Sequence, residues 1–258
     1  MTPPPSTTAQ SDGFSPSKIV VTIPTYNEIE NIEKLVTEIL AQDPRIEVVV
    51  ADDHSPDGTW KAVAAMEEKD PRVHLLDRTT DRGRGYAGRD GYVEALRLGA
   101  DVAFEMDADF SHHPRHLPEL IAALGNADVV LGSRQVRGGQ DIGRPWFRKL
   151  LTRASNLYAR LALGLPVSDC NSGYRGWRRT ALEAVDVGSA FSPGPAIVHE
   201  LLYKARVKKQ RMTEVPIVFT DREEGESTLT FRTLLRSYVT VMRLRWLGIS
   251  GKLFEAGR

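Results

Sequence analysis

The sequence predicts an α/β protein, built on an open, mainly parallel, twisted sheet with helices packed on both faces. Three observations carry this. Short runs of β-branched and apolar residues alternate with segments whose apolar residues recur at helical spacing. Successive apolar runs end in polar, acidic, turn-forming clusters, and that edge is where open α/β sheets bind ligands. The chain has 258 residues, enough to bury one large core, and no linker-like stretch divides it.

Residues 1–17 are rich in Pro, Ser and Thr, a composition that cannot offset the entropy of ordering, so a disordered tail is expected. The tail lacks the apolar core and basic start of a secretory signal, and Cys170 as the single cysteine excludes an internal disulfide framework. A cytoplasmic location is expected. One domain should then span residues 18–228. Strands are expected over residues 18–23, 46–51, 72–76, 101–106 and 128–132, with helices over 28–41, 57–69, 86–98 and 114–124 between them.

Past Gly132 the pattern changes. A helix over residues 145–163 places Phe147, Leu150, Leu151, Ala154, Leu157, Tyr158 and Leu161 on one face, expected to pack, and Arg148, Thr152 and Ser155 on another, expected to meet a ligand. Later strands are expected over 172–177 and 213–219, including an antiparallel edge, with a helix over 195–205 opening at its proline. The C-terminal segment, residues 229–258, carries a helix over 229–247 that combines Phe231, Leu234, Leu235, Tyr238, Val239, Met242 and Trp246 with a stripe of Arg232, Arg236 and Arg243. It suits either core packing with a solvated arginine face or a place in a membrane interface.

No stretch approaches the roughly 20 apolar residues of a spanning helix, so any membrane contact is expected to be peripheral. A formal charge of zero argues against a nucleic-acid binder. Between Arg134 and Arg179, however, ten basic residues face only Asp141 and Asp169, a local excess that calls for an anion.

The chemistry centres on Glu105-Met106-Asp107-Ala108-Asp109. Two carboxylates spaced i, i+2 at a strand end can converge on one hard divalent cation, an arrangement that suits holding a diphosphate. The alternative is a pair of turn aspartates capping the helix that Pro114 opens. The pair is not isolated. Pro24-Thr25-Tyr26-Asn27-Glu28 ends the first predicted strand, and Asp52-Asp53-His54-Ser55-Pro56-Asp57-Gly58-Thr59 ends the second. Glu28 and Asp53 offer acceptors for base or ribose donors, and Tyr26 offers a flat face for stacking.

These segments resemble the family 2 glycosyltransferases of the GT-A fold, in particular the polyprenyl (dolichyl) phosphate mannose synthases. The likeness includes Met106-Asp107-Ala108-Asp109-Phe110-Ser111-His112-His113-Pro114, Gly132-Ser133-Arg134, Glu214-Val215-Pro216-Ile217 and Gly225-Glu226-Ser227, and runs from about Lys18 to about Leu235. The resemblance implies a GT-A (Rossmann-like) fold and inverting transfer of mannose from GDP-mannose to a polyprenyl phosphate. It implies donor contacts at Pro24, Tyr26, Glu28, Asp53, Asp107, Ala108, Asp109 and Arg134. Mg²⁺ or Mn²⁺ would sit at Asp107, Asp109 and Ser111, and acceptor phosphate contacts would come from Arg148, Thr152 and Arg222. Asp109, Arg134 and Arg148 would carry catalysis, and the lipid implies a membrane surface or a membrane-anchoring subunit as partner.

The sequence departs from the family at several points. Ser111 is a weaker ligand than the carboxylate or amide usual there, Thr228 replaces a lysine, and residues 190–195 lack the usual aromatics ahead of the helix bearing Glu200. The glycine-rich turn Gly83-Arg84-Gly85-Tyr86-Ala87-Gly88 is surrounded by Arg82, Arg84 and Arg89 and reads as a helix start. These changes keep open another donor, such as UDP-glucose, or another acceptor. A nucleotide-sugar-binding protein without turnover is a further alternative, disfavoured because like charges at Asp107 and Asp109 have no stabilising reason to stay adjacent. A nicotinamide oxidoreductase is disfavoured by the missing glycine fingerprint after the first strand.

Overall fold

Runs of buried β-branched residues build the sheet. A computed structural model describes residues 13–192, 194–221 and 231–257, and forms nine strands and eight α-helices among them. The strands are β1 (Ile19–Thr25), β2 (Ile46–Asp52), β3 (Val73–Asp77), β4 (Val102–Glu105), β5 (Val129–Ser133), β6 (Gln140–Ile142), β7 (Arg175–Arg178), β8 (Met212–Pro216) and β9 (Val218–Thr220). The helices are α1 (Ile32–Leu40), α2 (Thr59–Glu67), α3 (Arg84–Arg97), α4 (Leu117–Ala123), α5 (Trp146–Leu163), α6 (Arg179–Ala184), α7 (Ile197–Val207) and α8 (Phe231–Ile249).

Seven strands form one sheet in the order β3-β2-β1-β4-β7-β5-β8, while β6 and β9 form a second, two-stranded sheet. Strand residues alternate between two cores. Val21, Ile23, Val48 and Val50 pack under α1 and α4, and Val20 and Val49 pack under α3, α7 and α8. The chain order reverses across β1: β2 and β3 lie to one side, and β4 returns to the other through α3. The carboxyl ends of β1, β2 and β4 therefore meet at the switch point where such sheets bind ligands.

Several features differ from the sequence expectation. The antiparallel strand, β7, lies between β4 and β5 and not at an edge, while the edge strand β8 runs parallel to β5. The cause is local: Arg134, just past β5, holds Asp169, so the chain is still at the carboxyl edge when it enters β7 and must run back. The single strand expected over 213–219 divides at Ile217, whose amide donates to Ser133 O, leaving β8 in one sheet and β9 in the other.

The apolar arc of α5 expected to pack instead faces outward: Phe147, Leu150, Leu157 and Leu161 are exposed, and the buried residues are Asn156, Ala159 and Leu163. That inner face is small and polar because Asn156 must reach Asp169, to which its Nδ2 donates at 3.0 Å. The described end of the expected tail makes contacts with the body. Phe14 lies under the Arg178 guanidinium, and Ser17 donates from both its amide and its hydroxyl to Asp101. The C-terminal segment is part of the body, since Val241, Leu244, Leu247 and Leu253 are buried in the same core as α3 and α7.

Candidate active site

Each of the three sequence motifs turns through one non-glycine residue in the left-handed region, Asn27 (φ 61°), His54 (φ 53°) and Phe110 (φ 57°). For a residue as bulky as Phe such a backbone is held by its surroundings. The surroundings are hydrogen bonds. Buried Asp52 accepts from Thr25 Oγ1 and from the amide and hydroxyl of Ser55, which stitches the end of β1 to the loop after β2. The Asn27 amide donates to Ser55 Oγ and the Glu28 amide to Thr59 Oγ1. Asp57 caps the start of α2 through the Thr59 amide and hydroxyl, so this part of the second motif is turn chemistry.

Pro24 and Ala108 are buried, Glu28 is half-buried, and Tyr26 is 53% exposed with the Arg82 guanidinium 5.3 Å from its ring centre. Asp53 is buried. One of its oxygens pairs with Arg78, itself bonded to Asp90, and the other accepts the Gly83 amide at 2.6 Å. Both oxygens are thus engaged in tying the loop after β2 to the start of α3. His54, to which the sequence gives no role, stacks on Trp60 and contacts Asp77.

Asp107 and Asp109 stand just past β4, both half-buried. Asp109 Oδ1 accepts the Ser111 amide at 3.1 Å, while Ser111 itself is buried. His112 is buried too, and its Nδ1 accepts the Asp107 amide, which orients the acidic loop. Burial holds the His112 imidazole below its ordinary pKa, and Arg134 and Arg84 add to this against the pull of Asp107 and Asp109. Among the described residues no three His, Cys, Asp or Glu side chains gather as a closed metal cage. Two accessible hard oxygens at the sheet switch point fit a divalent cation that takes its remaining ligands from a diphosphate and water.

Arg134, just past β5, donates from Nε and Nη2 to the two oxygens of Asp169 at 2.8 and 2.7 Å. Burial would raise the Asp169 carboxyl, but the hydrogen bonds and charge of Arg134 together with the Asn156 hydrogen bond outweigh it and hold that pKa below the usual range. The pair is anchored further: Asn156 donates to Asp169, and Glu214 of β8 accepts the amides of Ser168 and Asp169. The Arg134 guanidinium also lies over the Phe219 ring, with Arg144 and His112 against the same ring. Phe219 of β9 thereby joins the acidic loop, the end of β5 and the entry to α5.

Sequence reading alone did not assign His112, Asp169, Arg144 or Phe219 to the site. A signal existed, since Asp169 and Asp141 are the acids interrupting the arginine-rich stretch, and they pair with Arg134 and Arg144 respectively. Much of the expected excess charge is absorbed inside the molecule, because Arg175 and Arg178 are buried and donate to backbone carbonyls. Arg148 and Thr152 lie one turn apart on α5, both half-buried. Arg222 and Thr228 lie outside the described residues. Of the 190–195 segment, Phe191 and Ser192 are held by buried Glu200, which accepts their amides and pairs with Lys204 at 3.0 Å.

Residues 20–186 match the family described as Glycosyl transferase family 2. An undecaprenyl-phosphate mannosyltransferase of Micrococcus luteus is 39% identical, over 92% of this chain and 99% of its own length. A polyprenol monophosphomannose synthase of Mycolicibacterium smegmatis is 38% identical, over 93% of this chain and 90% of its own. Among solved structures, a glucosyl-3-phosphoglycerate synthase from Mycobacterium tuberculosis, complexed with Mn²⁺, UDP and glucosyl-3-phosphoglycerate, shares the fold with TM-score 0.61 at 20% identity, over 90% of this chain and 79% of that one. A mannosyltransferase from Pyrobaculum calidifontis in complex with GDP-Man and Mn²⁺ matches with TM-score 0.56 at 20% identity, over 95% of this chain and 70% of that one.

Proposed function

The chain belongs to glycosyl transferase family 2, and from that premise we propose that it is an inverting mannosyltransferase, moving mannose from GDP-mannose to a polyprenyl phosphate. The observation that carries the reading is the pair Asp107 and Asp109 at the carboxyl end of β4, in a loop set by His112 and within charge reach of Arg134. Asp107 and Asp109 would hold Mg²⁺ or Mn²⁺, which supplies Lewis-acid neutralisation of the leaving diphosphate. Ser111 serves mainly through its amide, which fixes Asp109.

Tyr26, with Arg82 behind it, gives the guanine base a stacking surface beside Pro24 and Glu28, while Asp53 acts by holding the Gly83 turn. Arg134 uses two of its five guanidinium hydrogens on Asp169, and its Nη1 donors can meet a phosphate. Arg148 and Thr152, with Arg222, are assigned to the acceptor phosphate. A lipid phosphate monoester is already anionic near neutral pH, so its oxygen attacks the anomeric carbon without a dedicated base. The new C–O bond forms as the bond to the diphosphate breaks on the opposite face, yielding a polyprenyl β-mannosyl phosphate and GDP. Positioning and charge stabilisation carry the rate.

The lipid tail requires a membrane surface. No helix among the described residues is long and apolar enough to cross a membrane. Adjacent α5 and α8 instead expose Trp146, Phe147, Leu150, Leu157 and Leu161 beside Val239, Met242, Trp246 and Ile249. Exposed arginines Arg153, Arg160 and Arg243 flank this face. An apolar, tryptophan-bearing face with basic neighbours suits peripheral docking on an anionic leaflet, with the cytoplasmic face as its place and a membrane subunit as the alternative anchor. The metal reading is tested by Asp109→Ala and by excess EDTA. Both should abolish mannosyl transfer while the circular dichroism of the variant stays that of the wild type; full activity in either case contradicts the assignment.

A further inference from the structure

We propose that Arg84 is a resident counter-cation of the acidic site, which occupies Asp107 in the donor-free protein, weakens metal binding there and so makes tight metal binding depend on the nucleotide diphosphate. The inference rests on the metal reading above. Arg84 opens α3, and its Nη2 donates both to Glu105 Oε1 at 2.7 Å and to Asp107 Oδ1 at 2.9 Å. The Glu105 side chain is buried and that of Asp107 is 36% exposed, so one guanidinium spans from the interior to the site.

The space for it is built. A Cβ on Gly88, one turn along α3, would lie 2.8 Å from Glu105 Oε2 and 3.2 Å from Arg84 Nη1, so a side chain at that position would collide with the pair. Arg84 Nη1 is buried and has no hydrogen-bond partner among the described residues. A guanidinium placed for its own satisfaction would not leave that donor orphaned. Its position is instead set by the two carboxylates. Burial works against the Arg84 cation, but Glu105 and Asp107 hold it firmly charged, so it stays a competitor for the Asp107 oxygens at any working pH.

A cation approaching Asp107 must share that carboxylate with Arg84, with Arg134 adding further positive potential nearby. A diphosphate brings negative charge and oxygen ligands of its own, which offsets the crowding of cations. Metal and nucleotide should therefore bind with positive coupling, and by linkage each should tighten the other equally. Arg89 provides a neighbouring control, since it is engaged by Asp90 and Tyr86.

Calorimetric titration of Mn²⁺, with and without GDP, tests this on the full chain. Wild type should bind Mn²⁺ weakly alone and more tightly with GDP. Arg84→Met should tighten Mn²⁺ binding without GDP by roughly tenfold and lose a similar factor of coupling, within the roughly 5–150-fold usual for linked sites. Arg84→Lys and Arg89→Met should stay near wild type. The double variant Arg84→Met with Glu105→Gln removes one charge of each sign and leaves no buried carboxylate unpaired. Tightening that persists in it assigns the effect to Asp107 itself, and it also serves if the single variant folds poorly. Unchanged or weaker Mn²⁺ binding in the double variant overturns the proposal, even where wild type binds Mn²⁺ with GDP. No Mn²⁺ binding by wild type with GDP present overturns the metal reading and this proposal together.

Discussion

Arg134 gives Nε, Nη2 and its backbone amide to Asp169 while its guanidinium covers Phe219, so one side chain both offers charge to the site and fixes the loop that follows α5. Lysine keeps the charge but cannot span both Asp169 oxygens. Arg134→Lys is therefore expected to lower stability by about 1–3 kcal/mol in urea denaturation as well as reducing turnover. Loss of turnover alone, with stability within about 0.5 kcal/mol of wild type, would mean that the Asp169 contact is incidental. The places of Asp107, Asp109 and Tyr26 just past strand ends were legible in the sequence because each lies within a few residues of an apolar run. The partnership of Arg134 with Asp169 was not, since the two are 35 residues apart and meet only where the folded chain returns to the carboxyl end of β5 before entering β7. Asp53 shows the same limit: the sequence offers a free acceptor, and the fold spends it on Arg78 and the Gly83 amide.

Helical periodicity located α5 within a residue of its start, and its end at Gly164 follows from that residue's left-handed backbone (φ 62°). Periodicity cannot say which side of a helix meets the core. On α5 the apolar arc faces out and the small inner face carries Asn156 to Asp169. On α8 Val239, Met242 and Trp246 of the expected arc face out, and the residues that pack inward are Val241, Leu244 and Leu247, which lay outside it. Because α8 contributes to the core, its removal would damage the fold, and exposed side chains make the cleaner test of docking. The wild type is expected to sediment with anionic vesicles, less so at high salt because screening removes the arginine contribution. Trp146→Ser together with Trp246→Ser should weaken that binding by roughly tenfold or more, as interfacial tryptophans contribute strongly, while changing stability little because both are exposed. Equal vesicle binding by this variant would remove α5 and α8 as the docking face.

At the scale of the whole molecule, a sheet order of β3-β2-β1-β4-β7-β5-β8 brings three distant motifs to one edge, and the mainly parallel fold followed from strand and helix alternation alone. The two-stranded sheet of β6 and β9 did not, because three-residue strands carry no periodic signal, although that sheet holds the Phe219 contact between the acidic loop and the arginines. On the proposed reading the donor side is carried by the ends of β1, β2 and β4 and the acceptor side by the end of β5 and α5. This division of labour is what the functional reading requires. Its most direct test is a transfer assay in which the purified protein, with Mn²⁺ or Mg²⁺ and a polyprenyl phosphate in anionic vesicles, is given GDP-[¹⁴C]mannose or UDP-[¹⁴C]glucose. The account predicts metal-dependent label in a lipid-soluble, mild-acid-labile product from GDP-mannose, and little or none from UDP-glucose. Label from UDP-glucose in preference, or no lipid product from either donor with metal present, would contradict it.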